Sequence, residues 1–113
     1  MARGERITID FNQSNWRVKL KEIDYENTEE LELVNFNSNI VLPKDLKFQS
    51  LRDIYFKESK INILPTFLSK LELNLISFYQ TVFQNEEINS SILNAVKRIS
   101  INGDKTKHLP SLQ

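Results

Sequence analysis

The 113-residue chain offers few of the groups that make or break covalent bonds. It holds one histidine, His108, and no cysteine, so disulfides and thiolate metal sites are excluded. A lone imidazole lacks the further ligands that a metal centre needs. A catalytic histidine needs a nucleophile and an orienting acid, and no such arrangement is visible. Ser90-Ser91 falls in a stretch of helical periodicity, outside the strand–turn–helix setting that activates a serine. The acid pairs Glu29-Glu30 and Glu86-Glu87 read as a solvated face and as helix-start charges. The expectation is a protein without catalytic residues, metal or cofactor.

The elements that would carry any site belong to one domain, since 113 residues supply one modest core. Fifteen basic and fifteen acidic residues give a formal net charge of +0. That balance argues against nucleic acid or an anionic membrane as partner, and it gives little protection against self-association. No signal-peptide pattern follows Met1, and no apolar run reaches membrane-spanning length. A soluble, cytoplasmic protein is expected. Two glycines and three prolines leave little room for tight hairpins or a phosphate-binding loop.

The dominant pattern is internal repetition. Four segments share a spacing of apolar, apolar, apolar, small polar, apolar: Leu31-Val34-Phe36-Asn39-Val41, Leu51-Ile54-Phe56-Ser59-Ile61, Leu73-Ile76-Phe78-Thr81-Phe83 and Val96-Ile99-Ile101-Asp104-Thr106. They start 20, 22 and 23 residues apart (31, 51, 73, 96). Fifteen of sixteen apolar slots are apolar, Thr106 being the exception, where about six would be by chance at this composition. A Leu-Pro step follows three of them, at Leu42-Pro43, Leu64-Pro65 and Leu109-Pro110, each with a further leucine at Leu46, Leu68 or Leu112.

On these residues the chain resembles the leucine-rich-repeat family, whose unit is L-x-x-L-x-L-x-x-N-x-L followed by a variable half. The resemblance covers 31–112. It implies one α/β domain over 1–113, a short solenoid of about four to five units. Repeats would fill 31–113, with parallel strands on the concave side and short or irregular helices on the convex side. The family's asparagine appears only at Asn39; Ser59, Thr81 and Asp104 stand in its place.

Residues 1–30 differ, and two readings stay open for them. Ile7–Phe11 and Trp16–Leu20 alternate strictly around a polar Asn12–Asn15, as in a capping β-hairpin. Alternatively Arg6-Ile9-Phe11-Ser14-Trp16 is a degenerate first unit, and in either case Trp16 packs in a cap or core. A helix is predicted over 86–96, opened by Asn85 as N-cap and two acids. Short helical turns are predicted near 43–49 and 65–70.

In this register the free positions of each unit face outward from the strands. The candidate partner-binding residues are Leu33, Asn35, Arg52, Asp53, Tyr55, Lys57, Leu75, Ser77, Tyr79 and Arg98. Leu33, Leu75, Tyr55 and Tyr79 are large groups on a face that alternation would otherwise make polar, and Tyr and Arg are common interface anchors. The function expected is a non-catalytic module binding a partner protein, in the manner of a small inhibitor or immunity-type protein. The alternative is a segment of a longer array, or a self-associating domain. A small α/β enzyme would instead require a deep pocket with convergent polar groups.

Overall fold

The computed structural model describes residues 5–37, 39–43, 46–62, 64–83, 92 and 95–102. Among these residues the chain is α/β, with few helices. Its strands are β1 (Glu5–Asp10), β2 (Thr28–Val34), β3 (Asp53–Lys57), β4 (Lys60–Ile61), β5 (Leu75–Tyr79), β6 (Val82–Phe83) and β7 (Arg98–Asn102). Five of them form a parallel sheet in the order β1-β2-β3-β5-β7, and β4 pairs with β6 in a second, two-stranded parallel sheet. Helix α1 (Trp16–Lys21) follows β1, and a 3₁₀ helix (Thr66–Lys70) precedes β5.

The sheet register runs Arg6, Glu30, Asp53, Leu75, Arg98 across the five strands, in steps of 24, 23, 22 and 23 residues. Alternation then sends Ile9, Leu31, Leu33, Ile54, Phe56, Ile76 and Phe78 inward, each no more than 1% exposed. Leu51 and Leu73 lead into their strands from the core, and Ile61, Leu64, Leu68 and Phe83 close it from the returning segments. Phenylalanines on neighbouring strands or just beyond their ends form a row: Phe11–Phe36 at 5.4 Å, Phe36–Phe56 at 5.8 Å and Phe56–Phe78 at 5.5 Å, the last pair stacked. Losing one such ring to alanine typically costs about 3–5 kcal/mol.

Several expectations for the first half of the chain are corrected. β2 enters the sheet three residues earlier than the repeat spacing suggests: Leu31 and Leu33, not Val34 and Phe36, pair with Ile54 and Phe56. An odd shift exchanges the two faces of a strand. Leu33 is therefore core, and Val41, assigned inward, is 87% exposed. Asn39 lies in an exposed turn rather than in the slot of Ser59 and Thr81.

The capping hairpin is replaced by β1, parallel to β2, followed by α1. Trp16, Leu20 and Ile23 are buried while Val18 is 56% exposed, which is helical rather than strand periodicity. Tyr25 fastens the end of α1, its hydroxyl donating to the Leu20 carbonyl at 2.6 Å. The turn near 65–70 forms as 3₁₀ helix; the described residues of 43–49 form no helix. Of the predicted helix over 86–96, Ile92 and Ala95 are helical and Val96 and Lys97 form a bend before β7; 86–91, 93 and 94 lie outside the described residues. Asp104, Thr106, His108 and the last Leu-Pro step also lie outside them.

Left-handed backbone recurs at equivalent places. Asn35, Glu58 and Gln80, each the first residue after β2, β3 and β5, have φ of 57°, 50° and 50°. Each donates its N–H at 2.9 Å to the carbonyl of the last residue of the adjacent strand: Asn35 to Lys57, Glu58 to Tyr79, Gln80 to Asn102. Such a conformation costs a non-glycine residue about 1–2 kcal/mol; the inter-strand hydrogen bond offsets part of it. Just beyond, Ser59 and Thr81 are buried. Ser59 accepts from the Phe36 N–H at 3.1 Å and donates to the Lys57 carbonyl at 2.9 Å. The Thr81 hydroxyl lies 3.1 Å from the Tyr79 carbonyl and 3.3 Å from that of Phe56. Short hydroxyls thus tie the ends of β3 and β5 to the strand before each.

Candidate binding face

The outward side chains form three rows across the sheet. Arg6, Glu30, Asp53, Leu75 and Arg98 make the first; Thr8, Glu32, Tyr55, Ser77 and Ser100 the second; Asp10, Val34, Lys57, Tyr79 and Asn102 the third. Among the described elements, the strands contact their sheet neighbours, and α1 meets β1 from the core side through Trp16 and Leu20. The outward face carries no covering layer among the described residues.

Its centre is Glu32, a carboxylate only 9% exposed. Lys57 Nζ lies 2.9 Å from it, the Thr8 hydroxyl donates to it at 3.0 Å, and Arg6 reaches it at 3.5 Å. Burial pushes its pKa up. The hydrogen bonds from Lys57 and Thr8 and the charges of Lys57 and Arg6 outweigh burial, and the net direction is down. The Arg6 guanidinium also lies over the Tyr55 ring, 4.2 Å from its centroid. Burial raises the Tyr55 phenol, helped by the charges of Glu30 and Asp53 and a hydrogen bond to Glu30.

The sequence-derived residues divide cleanly. Asp53, Tyr55, Lys57, Leu75, Ser77, Tyr79 and Arg98 stand together on this face. Arg52 precedes β3 and pairs with Glu29 at 2.9 Å. Asn35 sits in the turn after β2, its side-chain amide donating to Asp10 at 3.1 Å. Leu33 faces the opposite way, into the core. Arg6, Thr8, Asp10, Glu30 and Val34 are face residues that the repeat spacing missed; the polar–apolar alternation of Arg6–Asp10 was the signal for the first three, and the slipped frame of β2 hid the other two.

Within the face, β1 and β2 are occupied by the charge network, whereas β5 carries Leu75, Ser77 and a Tyr79 that is 44% exposed. Among the described residues no three His, Cys, Asp or Glu side chains gather as a metal site, and no helix is long and apolar enough to cross a membrane. Compared with protein-family models, curated proteins and solved structures, the chain matches none of them.

Proposed function

We propose that the chain is a short leucine-rich-repeat solenoid and a non-catalytic module that holds a partner protein against the outward face of its parallel sheet. The contact is centred on Leu75 and Tyr79, with Tyr55 at its margin. One observation carries the reading: a half-buried leucine and an exposed tyrosine share β5, on a face without a covering layer among the described residues. Sheet faces that meet water are ordinarily polar, and an aromatic beside an aliphatic group, rimmed by Lys57, Arg98 and Asp53, has the make-up of an interface centre. The repeat reading is supported by the matched register, by the equivalent left-handed residues, and by Ser59 and Thr81 in the slot where that family carries asparagine.

The test is site-specific photocrosslinking from position 79 in cells, with position 70, on the 3₁₀ helix, as control. A protein captured from 79 and not from 70, whose purified form binds the wild-type chain, supports the reading. Tyr79→Ala with Leu75→Ala then weakens that binding at least about tenfold while circular dichroism and melting stay unchanged. Binding that survives both substitutions refutes it.

A further inference from the structure

We propose that β1 is a self-complementary edge through which two copies of the chain join antiparallel, Thr8 against Thr8, continuing the sheet across a two-fold axis. The inference does not depend on what the outward face binds.

Among the described strands β1 has one neighbour, β2, and so ends the sheet. The Phe11 N–H donates to the Val34 carbonyl at 3.0 Å, toward β2. Backbone groups alternate in direction along a strand. Ile7 and Ile9 therefore also point theirs at β2, while Arg6, Thr8 and Asp10 point theirs away, at the free edge. That edge opens on a groove of about 330 Å³ walled on the far side by Lys19, Glu22 and Ile23.

Exposed edges are usually blunted by charged side chains, proline or a bulge. β1 has no proline, its register is irregular only at its start, between Glu5 and Arg6, and its charges are of both signs. Its outward residues are Arg6, Thr8 and Asp10: a cation, a neutral hydroxyl and an anion in symmetric spacing. Within one chain Arg6 turns inward across the sheet to Glu32 and the Tyr55 ring, and Asp10 accepts from Asn35, so the pairs across the edge form by exchange of these partly exposed contacts. A two-fold axis normal to the sheet keeps outward groups outward, so only registers pairing even with even residues preserve the buried face. Among these, the one centred on Thr8 sets Arg6 of each copy directly opposite Asp10 of the other, and Ile7 opposite Ile9. The Thr8 pair exchanges both of its backbone bonds, and each Asp10 N–H donates to the Arg6 carbonyl of the second copy. Registers centred on neighbouring residues lose the charge pairs. Isologous pairing of this kind closes at two copies, and the near-balanced net charge leaves no long-range repulsion against it.

The test is sedimentation velocity on the full chain across a concentration series. Wild type is expected to dimerise reversibly. Arg6→Asp makes the edge acid against acid and Asp10→Arg makes it base against base, so each alone, with a circular dichroism spectrum and melting curve that show it folded despite the lost contacts to Glu32 and Asn35, should dimerise at least about tenfold more weakly. An equimolar mixture of the two restores both cross-pairs and should form a one-to-one heterodimer. Thr8→Pro removes the central donor at a position whose N–H faces outward, where proline suits a folded edge strand, and should be monomeric with an unchanged circular dichroism spectrum. If that variant does not fold, the charge-swapped mixture alone decides. A wild type that stays monomeric up to about 1 mM, where even millimolar affinity would show, overturns the proposal. So do dimers that persist in both charge variants, or a mixture that fails to associate.

Discussion

Lys57 and Glu32, on adjacent strands, meet at 2.9 Å although neither is directly opposite the other in the register. Lys57 pairs across the ladder with Val34, so its side chain reaches diagonally to a carboxylate that Thr8 and Arg6 approach from the other side. Three strands are thereby joined through one buried anion.

That anion makes stability depend on pH in a defined direction. The Glu32 carboxyl titrates below its ordinary value of 4.5 in the folded chain. Its contribution is therefore fully present above 4.5 and is lost as pH falls through the lower, folded value. Asp10, lowered from 3.8 by the Asn12 backbone and the Asn35 side chain, acts in the same sense at lower pH. In urea titrations, wild type should lose stability on acidification below about pH 4.5. Glu32→Gln should flatten that part of the profile; an unchanged slope would count against the network.

Ser59 is 1% exposed and both accepts and donates a backbone bond. Ser59→Ala should destabilise the chain by about 1–3 kcal/mol, because the buried Phe36 N–H loses its acceptor. Hydrogen exchange should quicken at Phe36 ahead of β2. A midpoint shift equal to that of an exposed control such as Ser69→Ala would contradict this.

Glu58 holds φ of 50° on an exposed turn. Asparagine tolerates the left-handed region better than glutamate, so Glu58→Asn should stabilise the chain by roughly 0.5 kcal/mol. The thermal midpoint would rise by a few degrees. A fall would show that the Glu58 side chain contributes contacts of its own.

The central strands were legible because their inward positions are filled without ambiguity. Leu51-Ile54-Phe56-Ser59-Ile61 and Leu73-Ile76-Phe78-Thr81-Phe83 each fit one register only, and Tyr55, Leu75, Ser77 and Tyr79 followed from it. The preceding copy offered two. Leu31, Leu33, Val34 and Phe36 are all apolar, and the true frame opens on Thr28, a polar residue that is nonetheless fully buried. Spacing along one strand could not choose between frames that the hydrogen bonds of a neighbouring strand decide. The same limit hid α1: Trp16-Val18-Leu20 satisfies period two, while Trp16-Leu20-Ile23 satisfies the helix. The isolated start-to-start interval of 20, against register steps of 22 to 24, was the one local sign of the slip.

The phenylalanine row has a direction. It starts beside the chain's single tryptophan, with Phe11 4.9 Å from Trp16, and runs through Phe36 and Phe56 to Phe78 and Phe83. Beyond it, β7 turns inward only Ile99 and Ile101, both half-buried. Among the described residues packing thus weakens toward one end of the sheet, and segments with fewer buried apolar contacts are the first to open. Indole fluorescence watches the opposite end, so it records the last strand to let go and stays silent while the first one peels.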